Sequence, residues 1–102
     1  MRIITRKRLR LWSRQYPDAA TSLEAWALRT RAAHWQNLMD VRRDFPQADG
    51  VMVRSRRIVT VFNIRGNNYR LITAIHYQPQ RVYLLRFYTH ADYDDSGWED
   101  TL

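Results

Sequence analysis

Near residue 50 the apolar rhythm of the chain changes period, and that switch limits the available folds more than any other feature. Before it, apolar residues recur at helical spacing: Leu9, Trp12 and Tyr16, then Leu23, Trp26, Ala27 and Thr30. After it they alternate and are rich in β-branched and aromatic types, which predicts strands over 51–54, 58–65, 68–77 and 81–89. Helices followed by hairpins imply an α+β domain. The expected form is an antiparallel meander of four strands, five if Ile3 and Ile4 add a short one, with two to three helices packed on one face.

Turn chemistry divides the pattern. Thr5 is placed to cap a first helix, and Tyr16-Pro17-Asp18 ends it, because proline disfavours helical geometry in the residue before it. Asp18 or Thr21 can cap the second helix, and Thr21 with Glu24 fits a capping box. A third helical piece over 36–44 should stop at Phe45-Pro46, with Asp49-Gly50 as a turn. Gly66-Asn67 reads as a two-residue hairpin loop, and Gln78-Pro79-Gln80 as a three-residue turn. No repeat, low-complexity tract or linker interrupts the 102 residues. One domain is therefore expected: strand and helices over 1–50, sheet over 51–90, acidic tail over 91–102.

Registering the hairpins places individual side chains. A loop at Gly66-Asn67 sets Ile64 opposite Tyr69 and Asn63 opposite Arg70; taking Tyr77 opposite Arg81 sets Arg70 opposite Tyr88 and Ile72 opposite Arg86. A bulge in the second turn would slip that register by one. Alternation then gives a core face of Ile58, Thr60, Phe62, Ile64, Tyr69, Leu71, Thr73, Ile75, Tyr83, Leu85 and Phe87. The other face carries Val61, Ile72, Ala74, Val82 and Leu84 at one end, and Asn63, Arg70, Arg86, Tyr88 and His90 at the other.

Charge bears on function. Seventeen basic residues, sixteen of them arginine, stand against ten acids. Such a surface attracts polyanions, and the planar guanidinium fork suits phosphate, so nucleic acid is favoured over a membrane; the alternative is a basic surface that serves only solubility. Residues 58–91 hold Arg65, Arg70, Arg81 and Arg86 and no acid, whereas Asp92, Asp94, Asp95, Glu99 and Asp100 crowd the tail. The tail is either a solvated end or a cover for the basic surface. Arginines beside an imidazole and a phenol stabilise a sheet poorly, so that face reads as an anion site unless tail acids such as Asp94 or Asp95 neutralise it.

Other features carry less. His34 reads as a surface or packing residue and His76 as structural, and the three histidines lack metal-ligand spacing. Trp12 and Trp26 fit apolar helix stripes, while Trp98 either anchors the tail or meets a partner. Arg6, Arg10 and Arg14 form a basic stripe on the first helix. The absence of cysteine, of a signal-peptide pattern and of any long apolar run makes a soluble cytoplasmic protein the expectation.

These residues resemble the HigB-like branch of the RelE/ParE toxin superfamily over nearly the whole chain. The resemblance lies in Ile3-Ile4-Thr5, the Tyr16-Pro17 break, Phe45-Pro46, Val61-Phe62-Asn63-Ile64, Gly66-Asn67-Asn68-Tyr69-Arg70-Leu71-Ile72 and Thr89-His90-Ala91-Asp92-Tyr93-Asp94. The family often has lysine at the place of Asn68, glutamate at Asp92 and further lysines near the end, so this chain either contacts RNA less or moves that duty to Arg65 and the first helix. The resemblance implies a RelE-like fold and ribosome-dependent cleavage of mRNA by 2′-OH attack, with no metal or cofactor. It also implies contact with ribosomal RNA and a cognate antitoxin of helix-turn-helix, DNA-binding type, so that DNA is met only through that partner. Under it, Arg70 and Arg86 stabilise the phosphate, His90 does acid/base work, and Tyr93 or Tyr88 transfers a proton or stacks on a base. Asn63, Arg65, Asn68, Tyr88, Arg6 and Arg10 are then RNA contacts. A non-enzymatic basic binder, a ParE-like topoisomerase inhibitor or an inactive relative of the same fold are the competing readings.

Overall fold

The computed structural model describes residues 1–102. Its elements run β1 (Arg2–Ile4), α1 (Lys7–Gln15), α2 (Ala20–Ala32), α3 (Leu38–Asp44), β2 (Asp49–Met52), β3 (Ile58–Ile64), β4 (Tyr69–His76), β5 (Arg81–Thr89) and α4 (His90–Asp95). Short 3-10 turns cover Pro17–Ala19 and Trp98–Thr101. The switch from helices to hairpins falls where the rhythm changes, but the sheet is mixed: its order is β1-β5-β4-β3-β2, with β1 parallel to β5. Paired this way, Ile3 is buried in the helix-side core.

Helices α1 and α2 cover one sheet face over an aromatic-rich core. Trp12 stacks on Phe87 at 5.6 Å, and Phe87 stacks on Tyr69 at 5.1 Å. Trp26 meets Phe62 edge-on at 5.3 Å. Rings in offset and edge-on arrangements combine large apolar area with favourable quadrupole contacts.

Several local expectations are overturned. The Tyr16-Pro17 break forms a 3-10 turn that runs directly into α2, so Thr21 lies inside the helix and the Thr21–Glu24 capping box does not form. Thr5 contributes its main-chain carbonyl to Arg8 at 3.0 Å, and no side chain caps α1. Asn37 caps α3, accepting from the Asp40 N–H at 3.0 Å. Asp49-Gly50 belongs to β2, paired with Val61 and Thr60; the turn comes later, where Arg56 is left-handed at φ 69°. A Cβ on Gly50 would come within 3.3 Å of the Leu38 side chain, so glycine allows α3 to lie close to β2. The first long hairpin closes at Ile64 and Tyr69 around four residues rather than two, with Arg65 and Gly66 left-handed at φ 52° and 61°.

The second hairpin slips by one and then recovers. His76, not Tyr77, lies opposite Arg81, and the ladder shifts between Ile72–Arg86 and Thr73–Leu84, leaving Leu85 as an extra residue. A bulge of this kind puts two successive side chains on one face. Val82 and Leu84 therefore enter the helix-side core, and Leu85 turns to the opposite face, the reverse of the strict alternation. Tyr83 is only half-buried, against His76 at 4.9 Å. The Arg8 guanidinium donates to the carbonyls of Leu84 at 2.6 Å and Leu85 at 3.2 Å, tying α1 to the irregular site. Ile58 is 64% exposed rather than core, since it begins β3 against the outermost residue of β2, Met52.

Helices do not confine themselves to one face. A second core of Val53, Val59, Val61, Ile72 and Trp98 lies on the far side of the sheet, with Leu85, Tyr88, Tyr93 and Leu102 against it. The acidic tail is thus folded: α4 follows β5 without a linker, and Trp98, 1% exposed, pins the end of the chain. The Arg54 N–H joins that tail at the Glu99 carbonyl, 3.0 Å. No helix is long and apolar enough to cross a membrane.

The Trp98 indole N–H has no hydrogen-bond partner. Its contribution is then mainly apolar volume, and Trp98→Ala should lower unfolding free energy by about 3–5 kcal/mol while Trp98→Phe costs clearly less. Urea denaturation of the two variants measures the difference; equal losses would mean that the indole N–H matters after all.

Candidate functional site

Three adjacent strands set out one row of side chains on the far face. Asn63 of β3 pairs with Arg70 of β4, and Arg70 pairs with Tyr88 of β5, so the three point the same way. Arg86 pairs with Ile72 in the next row, a diagonal neighbour of Arg70. Such diagonal positions lie roughly 7–8 Å apart, within the combined reach of two guanidiniums around one phosphate. The expected register thus holds at this end of the sheet, because the bulge at Leu85 cancels the one-residue slip in the turn.

Arg70 is held without a carboxylate. Its Nη1 donates to the carbonyls of Asn67 and Tyr69, both at 3.1 Å, and its Nη2 donates to Asn67 Oδ1 at 2.7 Å. A guanidinium has five N–H donors, so two remain for another acceptor. Arg86 makes one long bond, Nη1 to Thr101 Oγ1 at 3.4 Å. Neither arginine takes part in any of the four ion pairs. The tail folds back beside this face, yet its acids do not neutralise the two arginines.

Helix α4 brings in the titratable groups. Thr89 caps it, accepting from the Asp92 N–H at 3.1 Å, and the His90 N–H donates to the Asn68 carbonyl at 2.9 Å. His90, Tyr93 and Asp94 are spaced i, i+3 and i+4 and share one side of the helix. His90 Nδ1 lies 3.1 Å from Asp94 Oδ2, so a neutral ring that donates there presents Nε2 as an acceptor. The charge next to the imidazole is a carboxylate rather than the arginine expected. Tyr93 lies under Arg70, whose Cζ is 5.7 Å from the ring centroid, and against Trp98 at 5.3 Å. Burial pushes the Tyr93 phenol above its ordinary value; the charges of Glu99, Asp49 and Asp94 add to the rise and Arg70 opposes it. The Tyr93 phenol therefore keeps its proton at neutral pH.

The other expected contacts sit elsewhere. Asn63 is half-buried in the row, and its Nδ2 donates to Gln47 Oε1 at 2.5 Å. Asn68 is exposed in the hairpin loop, where its carbonyl receives the His90 N–H. Arg65 leaves the row: it pairs with Asp18 at 3.2 Å, and the same carboxylate accepts the Tyr69 hydroxyl at 2.6 Å. Arg6 and Arg10 are exposed at α1, across the sheet from His90 and Arg86. Sequence reasoning missed Asp94 as the partner of His90; the signal was the i, i+4 spacing within His90-Ala91-Asp92-Tyr93-Asp94, legible only once that stretch is read as a helix.

The profile of HigB_toxin, described as the RelE-like toxic component of a toxin-antitoxin system, matches residues 19–96. The chain is 27% identical over 94 residues to the protein called mRNA interferase toxin HigB of Escherichia coli (strain K12), covering 92% of this chain and 88% of that one. The protein called mRNA interferase HigB of Shigella flexneri matches to the same extent.

Alkaline behaviour follows from the phenols. Tyr69, raised first by its hydrogen bond to Asp18, and Tyr77 and Tyr93, raised first by burial, ionise later in the folded chain than the ordinary value of 10.0. The unfolded chain releases those protons first. The stability they contribute is thus whole below about 10 and lost as pH climbs above it, which urea midpoints measured on either side of that value should show. Removing Arg70 removes the charge that favours the Tyr93 phenolate, so Arg70→Ala should raise the Tyr93 pKa further in an ultraviolet difference titration against Tyr93→Phe. A fall would mean that the two groups do not face each other.

Proposed function

The chain belongs to the family of HigB toxins, the RelE-like toxic components of toxin-antitoxin systems, and we propose that it is an mRNA interferase: a ribosome-dependent, metal-independent endoribonuclease silenced by a cognate antitoxin. The observation that carries this reading is Arg70, fixed by three hydrogen bonds with no carboxylate and flanked by Arg86, Tyr88 and Tyr93.

In this proposal the scissile phosphate lies between Arg70 and Arg86, which supply the positive charge for the oxygens as negative charge builds there. His90, held by Asp94, takes the 2′-proton at Nε2. The 2′-oxygen bonds to phosphorus, the bond to the 5′-oxygen breaks, and the Tyr93 hydroxyl protonates the leaving oxygen. The products are a 2′,3′-cyclic phosphate and a 5′-hydroxyl. Tyr88 offers a ring for a neighbouring base, and Asn63 and Asn68 offer polar contacts to the RNA. Arg65 is placed to meet RNA only at the hairpin tip. The antitoxin is proposed to be a helix-turn-helix protein, through which alone this chain meets DNA, and the setting is cytoplasmic.

Arg70→Ala should lose on the order of 10²–10³ in cleavage rate, as expected for one donor to a developing anion. Primer extension on translated mRNA reads the loss as missing 5′ ends. A tenfold or smaller loss in a folded variant would remove Arg70 from the chemistry, and a wild-type chain giving no new 5′ ends would make it a binder rather than a nuclease. Tyr93→Phe should cost about 10²-fold or more, because the 5′-alkoxide leaves poorly without a proton.

A further inference from the structure

Beside the arginine row lies a pocket that the cleavage chemistry does not use. It has a volume of about 310 Å³, and its walls include Arg29 from α2, Asp44, Phe45 and Gln47 from the segment leading into β2, and Asn63 from β3. Asn63 belongs to both places. It pairs with Arg70 across β3 and β4, where opposite side chains stand about 4.5–5.5 Å apart at Cβ, and its amide reaches Gln47. The pocket therefore adjoins the row in which the scissile phosphate is placed.

Its chemistry suits a neutral flat ring better than a phosphate. Asp44 puts a carboxylate in the wall, held by the Trp35 indole N–H at 2.8 Å. Arg29 adds a guanidinium that enters no ion pair and lies over the Phe45 ring, 4.9 Å from Cζ to the centroid. One charge of each sign gives an anion little net attraction. Two amides complete the wall: Asn63 Nδ2 donates to Gln47 Oε1 at 2.5 Å, which leaves the Gln47 amino group and Asn63 Oδ1 without protein partners. Turning both amides over exchanges their roles and still leaves one oxygen and one amino group open. A ring whose edge carries a donor next to an acceptor answers that pair, and a guanidinium plane is a surface on which such a ring stacks. Those are the features of a nucleobase.

We propose that this pocket receives the base of a nucleotide next to the cut, and that Gln47, with Asn63, reads the edge of that base. The proposal rests on the reading of this chain as a nuclease acting on RNA, and it adds a specificity residue outside the catalytic row. Gln47 is exposed and bonds to none of the groups assigned to proton transfer or to the phosphate, so it selects which base is held and leaves the chemistry to Arg70, Arg86, His90 and Tyr93.

The test is binding by the full chain, read as fluorescence anisotropy of two labelled pentanucleotides, one all cytosine and one all uracil. Both are made with 2′-deoxyribose, so that no 2′-oxygen can attack, and both rings are pyrimidines, so that stacking area is matched. A carboxylate accepts from the amino group of cytosine and repels the two carbonyls of uracil. Gln47→Glu, folded by circular dichroism, should therefore raise the ratio of cytosine to uracil affinity at least about fivefold over wild type. The added negative charge weakens both oligonucleotides alike and cancels in the ratio. A smaller rise, a fall, loss of both oligonucleotides together, or no binding of either by the wild-type chain would overturn the proposal. A chain that shows the shift in binding yet leaves translated mRNA uncut would fail as a nuclease and keep this pocket.

Discussion

One extra residue in β5 decides which side chains of that strand reach which core. β5 pairs with β1 in parallel and with β4 in antiparallel, and it leads without a linker into α4. Strict alternation along all of β5 would put Tyr83, Leu85 and Phe87 on the helix side and Val82 and Leu84 on the far side. The bulge at Leu85 reverses the alternation partway, sending Val82 and Leu84 to the helix-side core while Leu85 and Arg86 face the other side. The two cores themselves come from ordinary alternation along β3 and β4, where Phe62, Ile64 and Leu71 face the helices and Val59, Val61 and Ile72 face the other side. A bulge also disrupts the backbone ladder locally, and Arg8 supplies donors to the carbonyls there.

Opposite charges lie close together on the far face without cancelling. Trp98 holds the acidic tail against the sheet, and the tail's carboxylates are engaged elsewhere or exposed: Asp94 faces His90, while Asp92 and Asp100 lie in solvent. Arg70 is immobilised by amide oxygens, which fix its direction while leaving its full charge available. A carboxylate in the same place would have fixed the direction and removed the charge. The arrangement lets one anchored tail set Tyr93 beneath Arg70 and leave two guanidiniums open to an anion.

Much of this was legible beforehand. The row Asn63, Arg70 and Tyr88 could be read from hairpin arithmetic, since pairing across β3 and β4 is fixed by apolar residues that must share a face. Trp12 and Trp26 were visible as core because their spacing repeats with the helix. What misled was local chemistry with more than one outlet. Thr21-Glu24 has the letters of a capping box, but a 3-10 turn starts the helix earlier; Asp49-Gly50 has the letters of a turn, but its backbone pairs with β3. Asp18, a plausible cap, is engaged by Tyr69 and Arg65, residues about fifty positions away.

The sequence by itself determined the succession of helices and strands, the strand pairings near the first hairpin and the concentration of arginine over acid in the sheet. Each of these depends on periodicity or composition, which a linear string records. Only the tertiary structure decided the parallel placement of β1, the bulge at Leu85, the second core under Trp98 and the contacts of Asp94 and Asp18. Those depend on which distant apolar surface a residue can reach and which polar group is left without a partner there. Burial makes that choice, and burial is a property of the packed chain rather than of any stretch of it.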